Sequence, residues 1–232
     1  YNNATPRSTV SDWVTPEYTS SNRNPYREWI GAQIRADGWG YGCAGNPELA
    51  AEFAYRDACW THRANGIYGE MMFAAIIAAA FSVDDPVDLI NIGLSEIPEN
   101  CKLAEASRRA LSEMDQTKDF YKYMDWVEAE FGELSGVHTV NNALVVIGAL
   151  FYGKSDFHQS VCYAIEGGWD TDCNGATCGS ILGAIHGRSN INSSLIPPLN
   201  DTIKPSVIGF QEITMERLAQ RTYEVFKSIK DS

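Results

Sequence analysis

One apolar segment, "NGIYGEMMFAAIIAAAF" (residues 65–81), places the strongest constraint on the fold. Its apolar residues fall on nearly every side of a helix, which is typical of a helix that is buried on most of its surface. The uninterrupted apolar part, Met71 to Phe81, is about half of the roughly 20 residues that a membrane span needs. The pattern therefore predicts a central core helix.

The rest of the chain from Tyr26 onward carries helix signals. Asn46 and Asp85 each precede a proline, the arrangement expected of an N-cap followed by the first helical residue. Asp156 and Thr214 are expected to cap two later helices. No alternating strand pattern is present, so the sequence predicts an all-α, multi-helix globular domain.

Two regions differ in composition. Residues 1–24 are rich in Ser, Thr, Asn and Pro without periodicity, which predicts an irregular arm or linker. Residues 25–232 are expected to form part of a single all-α domain, because 232 residues with 44% hydrophobic content suffice for one sizeable core.

Charge and cysteine content exclude several classes of protein. The net charge is −12 and no Lys/Arg cluster occurs, which disfavours nucleic acid or an anionic membrane as a partner. The six cysteines show no zinc-like spacing and are spread through a chain large enough not to need disulfides, so they are expected to be reduced. No basic segment followed by an apolar one opens the sequence, which favours the cytoplasm and leaves secretion open.

The segment "EGGWDTDCNGATCGSILGAIHG" (residues 166–187) holds the most unusual pattern. Asp170 and Asp172 are expected in a turn before a helix, where two carboxylates can converge on Mg²⁺, Mn²⁺ or Ca²⁺. Judged by spacing alone, the more common interpretation is that Asp172 caps the helix and Asp170 belongs to the turn.

The helix that follows has a glycine at every fourth residue, at Gly175, Gly179, Gly183 and Gly187. Each internal glycine costs about 1 kcal/mol relative to alanine. We therefore expect either another helix in close contact with this row or a ligand near the helix N-terminus.

The quoted motif "GGWDTDCNGATCGSILGAIHG" resembles the C-terminal signature of the ADP-ribosylglycohydrolase family. The resemblance implies an all-α fold with a two-metal centre, usually Mg²⁺ or Mn²⁺, in which Asp170 and Asp172 are metal ligands. The family's next ligand is a threonine, and this chain has Cys173 there. A neutral thiol is a poor partner for a hard cation.

A second segment, "GAQIRADGWGYGCAGNPELAAEFAYRDACWTH", is similar to the part of the family that contacts substrate. By this resemblance Gly31, Arg35 and His62 are substrate-binding residues, and ADP-ribose or an ADP-ribosylated protein is the partner. Without the resemblance, the same residues fit a tight turn, a surface charge and a hydrogen-bonded core histidine. The family's glycine-rich phosphate loop is replaced by "YREWI" before Gly31.

The resemblance extends from about residue 24 to the C-terminus, and the family's N-terminal Thr-Asp-Asp-Thr metal motif has no counterpart in this sequence. The domain is therefore expected to be incomplete at its N-terminus, and this chain alone to be inactive unless a second chain supplies the missing part. The implied function is metal-dependent hydrolysis of the glycosidic bond between ADP-ribose and an acceptor. The alternative is a non-catalytic ADP-ribose-binding or structural protein that kept the fold.

Overall fold

The computed structural model describes residues 14–231, and within them the chain is all-α, as the sequence predicts. One short antiparallel pair, β1 (Thr202–Ile203) and β2 (Ile213–Thr214), is the only strand structure in this range. The helices are α1 (Pro16–Ser21), α2 (Asp37–Gly42), α3 (Pro47–Ala58), α4 (Asn65–Ala79), α5 (Pro86–Ser95), α6 (Lys102–Gln116), α7 (Phe120–Phe131), α8 (Thr139–Gly153), α9 (Phe157–Glu166), α10 (Thr171–His186) and α11 (Met215–Lys230).

The predicted central helix is α4. All of its residues except Tyr68 and Met71 are buried, and it packs against α2, α3, α5 and α8. Helix α8 is buried to a similar degree, and it joins α4 to α6, α7, α9 and α10. These two apolar helices form the core around which the amphipathic helices are arranged.

The predicted N-caps are confirmed. The side chains of Asn46, Asp85, Asp156 and Thr214 accept hydrogen bonds from backbone N–H groups in the first turns of α3, α5, α9 and α11. Each cap satisfies a donor that the helix itself leaves unpaired.

The arm predicted over residues 1–24 lies partly outside the described residues, which begin at residue 14. From there the chain is not irregular throughout, because Thr15 caps the short helix α1 and Pro16 occupies its first position. Asn24 is buried and donates hydrogen bonds to the carbonyls of Ser20 and Thr61. These bonds attach the segment to the body of the domain.

Of the two alternatives expected for the glycine row of α10, close packing by another helix is wrong for Gly179 and Gly183. A methyl group added at Gly179 or Gly183 would meet no atom within 4 Å, and only Gly175 has a near neighbour, Ile165 at 3.3 Å. Helix α10 buries another face, which carries Thr177, Cys178, Ile181 and Leu182, so the row stands at its half-exposed edge.

Two further predictions concern the whole chain. All six cysteines are free thiols, as expected. Among residues 14–231, no helix is both long enough and apolar enough to cross a membrane.

Candidate functional site

A cavity of about 430 Å³ contains all five residues that the sequence analysis singled out. Its wall comes from the segment before α2, from the α3–α4 connection and from the start of α10. The lining residues are Asn24, Tyr26, Trp29, Ile30, Gly31, Ile34, Arg35, Thr61, His62, Val137, Asp170, Asp172 and Cys173. A cavity of this size lies in the lower part of the range typical of ligand sites.

The two carboxylates occupy the N-terminus of α10, but not as expected. Asp170 is at the N-cap position and Asp172 is already in the first turn, so the prediction that both precede the helix is wrong for Asp172. The alternative, in which Asp172 caps the helix and Asp170 belongs to the turn, is also wrong. Asp170 holds the cap position, and its side chain makes no capping hydrogen bond. The nearest partners of the Asp170 carboxylate are the thiol and the backbone N–H of Cys173.

Asp170, Asp172 and Cys173 form the one group of possible metal ligands among the described residues. A ligand atom from each lies within 4.8 Å of the other two. Burial raises the pKa of Asp170, and the neighbouring Asp172 raises it further, although the Cys173 thiol and N–H act in the opposite direction. Two neighbouring carboxylates are a suitable donor pair for a hard divalent cation.

Cys173 does not suit such a cation. Burial, together with the carboxylates of Asp170 and Asp172, raises the pKa of its thiol well above the ordinary value. The thiol is therefore neutral at physiological pH, and a neutral sulfur is a weak ligand for Mg²⁺ or Mn²⁺.

Asn142 of α8 fixes the turn that carries Asp170. Its side-chain oxygen accepts hydrogen bonds from the Asp170 backbone N–H at 3.0 Å and from the Asn174 amide at 2.9 Å. Its own amide group donates to the carbonyls of Gly136 and His138. The sequence analysis missed this residue, although the pair Asn141-Asn142 at the start of an apolar helix is a signal, since buried amides must find partners.

Arg35 reaches the cavity, but its charge is largely used within the protein. The guanidinium donates to the Asp57 carboxylate at 2.9 Å, to the Gly31 carbonyl at 3.0 Å and to the Thr61 hydroxyl at 3.1 Å. One of its nitrogens also lies 3.6 Å from the fully buried Glu70. Arg35 is thus neither a free surface charge nor a free anion-binding group, and it holds two parts of the cavity wall together.

Glu70 lies behind Arg35 and accepts a hydrogen bond from the Trp39 indole at 2.9 Å. Burial, followed by the nearby Asp57 carboxylate, raises the pKa of Glu70 to about 9. This carboxyl group is therefore protonated at neutral pH, and it adds little charge to the wall.

His62 closes another side of the cavity and is 8% exposed. Its Nδ1 lies 2.8 Å from the Thr61 hydroxyl. Burial, followed by the Arg35 charge, lowers the pKa of His62 to about 4, so the ring is neutral at physiological pH. A neutral imidazole in the lining of the cavity can accept or donate a hydrogen bond without adding charge.

Tyr26 and Trp29 give the cavity an aromatic wall, which the sequence analysis did not identify. Their ring centroids are 4.2 Å apart with planes tilted by 44°, and Tyr26 is 43% exposed. The backbone behind them is fixed, because the Ile30 N–H donates to the Val137 carbonyl and the Thr139 N–H to the Glu28 carbonyl.

A family model described as ADP-ribosylglycohydrolase matches residues 3–231, which is nearly the whole chain. No curated protein and no solved structure matches the chain.

Proposed function

The chain belongs to the ADP-ribosylglycohydrolase family, and on that premise we propose that it takes part in metal-dependent hydrolysis of the glycosidic bond between ADP-ribose and an acceptor. The observation that carries the proposal is the cavity in which Asp170 and Asp172 lie with Gly31, Arg35 and His62. These residues come from distant parts of the sequence, and the fold places them around one space of ligand size.

In this proposal Asp170 and Asp172 bind Mg²⁺ or Mn²⁺, and two ions are present in the complete centre. A bound ion of this kind orients ribose hydroxyls and polarises water. The protein holds the ligands in place through Asn142, which fixes the backbone of Asp170 from a different helix. A support of this type keeps a carboxylate in position before the metal arrives.

The other residues act on the substrate side. Arg35 fixes the Gly31 carbonyl and the Thr61 hydroxyl, and so it sets the shape of the wall that the substrate contacts. His62 presents a neutral ring held by Thr61. The apolar residues Ile30, Ile34 and Val137 exclude water from the remaining wall.

The number of ligands limits what this chain does alone. A six-coordinate cation receives two carboxylates from the described residues, and hydrated Mg²⁺ gives up its waters reluctantly. We propose that further ligands come from a segment carrying a Thr-Asp-Asp-Thr motif, in this protein or in a second chain, and that the 232 residues alone bind metal weakly.

The test measures release of ADP-ribose from an ADP-ribosylated protein in Mg²⁺ or Mn²⁺. The chain is assayed alone and mixed with a segment that carries the Thr-Asp-Asp-Thr motif, with Asp170→Asn as the inactive variant and exposed Asp125→Asn as its matched control. We expect release only from the mixture, loss of release in EDTA and with Asp170→Asn, and no effect of Asp125→Asn.

The outcomes separate the parts of the proposal. Release by the chain alone would show that it holds a complete site and would overturn the ligand count. The absence of release under every condition would overturn the hydrolytic function. Binding of ADP-ribose without release would instead support the non-catalytic alternative, which the protonated Cys173 thiol beside the carboxylates favours.

A further inference from the structure

We propose that the cavity recognises a ribosyl group joined to a flat ring, and that it draws little affinity from a diphosphate. Its preferred ligands are then simple N-ribosides as well as ADP-ribosyl compounds. This inference rests on the proposed function in one respect, since it takes the cleaved bond to be the C1′–N bond of a ribosyl group.

The first argument is the charge of the wall. Among the described residues that line the cavity, Arg35 is the only charged cation, because the low pKa of His62 keeps that ring neutral. The guanidinium of Arg35 is already bonded to Asp57, Gly31 and Thr61. The lining also contains two carboxyl groups, from Asp170 and Asp172. A diphosphate would find one positive side chain among these residues, with three of its five N–H donors already in use, and it would approach two carboxyl groups of its own sign, so any further attraction would have to come from a metal that they hold.

The second argument is the backbone in front of Gly31. A phosphate cradle needs backbone N–H groups that point into the site without partners. Here the two N–H groups directly before Gly31 have partners, because the Trp29 N–H donates to the Tyr26 carbonyl and the Ile30 N–H to the Val137 carbonyl, which leaves the N–H groups of Gly31 and Ala32 as the unpartnered pair at this point. Gly31 is the only glycine between Tyr26 and Arg35, so this segment is not a glycine-rich loop.

The third argument is the aromatic wall. Tyr26 and Trp29 both line the cavity, and Tyr26 exposes nearly half of its surface. Flat heterocyclic rings stack on such side chains with a useful gain in affinity and without the need for a charge. The lining thus offers an aromatic surface for a ring and carboxyl groups, with or without a metal, for the hydroxyls of a ribose.

The reaction for this substrate class is an ordinary hydrolysis. The oxygen of water bonds to C1′ and the C1′–N bond breaks with its electron pair remaining on nitrogen. The proton from water goes to that nitrogen, or to solvent where the ring leaves without needing one. The products are ribose and the free base, and no further reactant is required.

The test compares two ligands that share the same ring and the same C1′–N bond. Nicotinamide riboside and NAD differ in the ADP group alone, so their affinities measured by calorimetry isolate its contribution. We expect NAD to bind no more than about tenfold more tightly than the riboside, because even one charge-assisted hydrogen bond to the diphosphate would exceed that ratio. The measurement is made in Mg²⁺ and again in EDTA.

Variants of the aromatic wall make the test specific. Tyr26→Ala should weaken binding of the riboside by about fivefold or more, and Tyr26→Phe should restore it, since stacking needs the ring and not the hydroxyl. Tyr55→Ala is the control, because Tyr55 is similarly exposed at 48% and lies outside the cavity.

Three results would overturn the inference: NAD bound more than about tenfold more tightly, no binding of the riboside, or unchanged affinity in Tyr26→Ala. Its failure is distinct from failure of the proposed function, because the readout is binding. Riboside binding without release of ADP-ribose would support the inference and contradict hydrolysis. Release of ADP-ribose together with much tighter binding of NAD than of the riboside would support hydrolysis and contradict the inference.

Discussion

At the scale of single residues, Asp170 and Asp172 are the carboxylates on which the proposed metal binding depends. We expect Asp170→Asn and Asp172→Asn each to weaken Mg²⁺ or Mn²⁺ binding by more than about tenfold. Loss of a residue that merely supports a ligand already costs about that much, and loss of a ligand should cost more. Calorimetric titration measures the affinity, and circular dichroism verifies that the helices persist. Affinity equal to that of the control Asp125→Asn in both variants would mean that neither carboxylate is a ligand.

The Cys173 sulfur lies within 4.8 Å of an oxygen of both carboxylates, and the thiol is protonated. Replacing it with threonine offers a hydroxyl, which is a harder donor of similar size. We expect Cys173→Thr to bind Mg²⁺ more tightly than the wild type, with Cys173→Ala showing no gain. Equal affinities for the threonine and alanine variants would mean that position 173 does not face the ion.

Glu70 makes stability depend on pH. Because the pKa of Glu70 is about 9 in the folded protein against 4.5 as its ordinary value, the folded state keeps a proton that the unfolded state loses. This contribution to stability is complete below pH 4.5 and is lost as the pH rises through about 9. We expect Glu70→Gln to flatten the decline in the free energy of unfolding across this window, measured by denaturant titration. The exposed control Glu128→Gln should retain the wild-type dependence of the unfolding free energy on pH. If Glu70→Gln also retains it, the pKa of Glu70 is not raised in the folded protein.

At the scale of secondary-structure elements, the spacing of the glycines in α10 suggests that alanine there would clash with a neighbouring helix, but the structure leaves room for it at Gly179. A methyl group at Gly179 would meet no atom within 4 Å, so alanine there gains helix propensity without a clash. We expect Gly179→Ala to stabilise the protein by about 1 kcal/mol. The contrasting variant is Gly148→Ala in α8, where the methyl would overlap the Tyr123 ring and should destabilise by about 1 to 3 kcal/mol. A destabilised Gly179→Ala would show that a partner covers the row.

The same helices show what the sequence can and cannot predict. The caps at Asn46 and Asp85 act within one turn of their own residue, and the burial of α4 follows from composition alone, so local pattern suffices for both. The packing of α10 depends on which of its faces meets α8 and α9, and the glycine spacing does not contain that information. Asn142 and Tyr26 were missed for a related reason, because their roles arise from neighbours that the fold supplies from elsewhere in the chain.

At the scale of the whole molecule, the described structure has a dense core and a loosely attached C-terminal helix. Helices α4 and α8 bury nearly all of their residues, whereas α11 has no buried residue and packs mainly on α2 and β2. An apolar groove of about 750 Å³ separates α11 from Tyr41, Phe81 and Gly183. The candidate site lies on the other, well-packed part, where the segment before α2, the α3–α4 connection and the start of α10 meet.

This unequal packing predicts an unequal resistance to local opening. Amide hydrogens exchange through openings whose free energy depends on how much buried contact must be broken. Opening α11 breaks few buried contacts, while opening α4 or α8 disrupts the core that holds Asp170 through Asn142. We expect hydrogen exchange followed by mass spectrometry to show rapid exchange in residues 215–230 and slow exchange in residues 65–79 and 139–153. Binding of a ligand in the cavity should slow exchange at the start of α10 but not in α11. Equal protection of α11 and α4 would show that the groove is closed in solution and that the C-terminal helix belongs to the core.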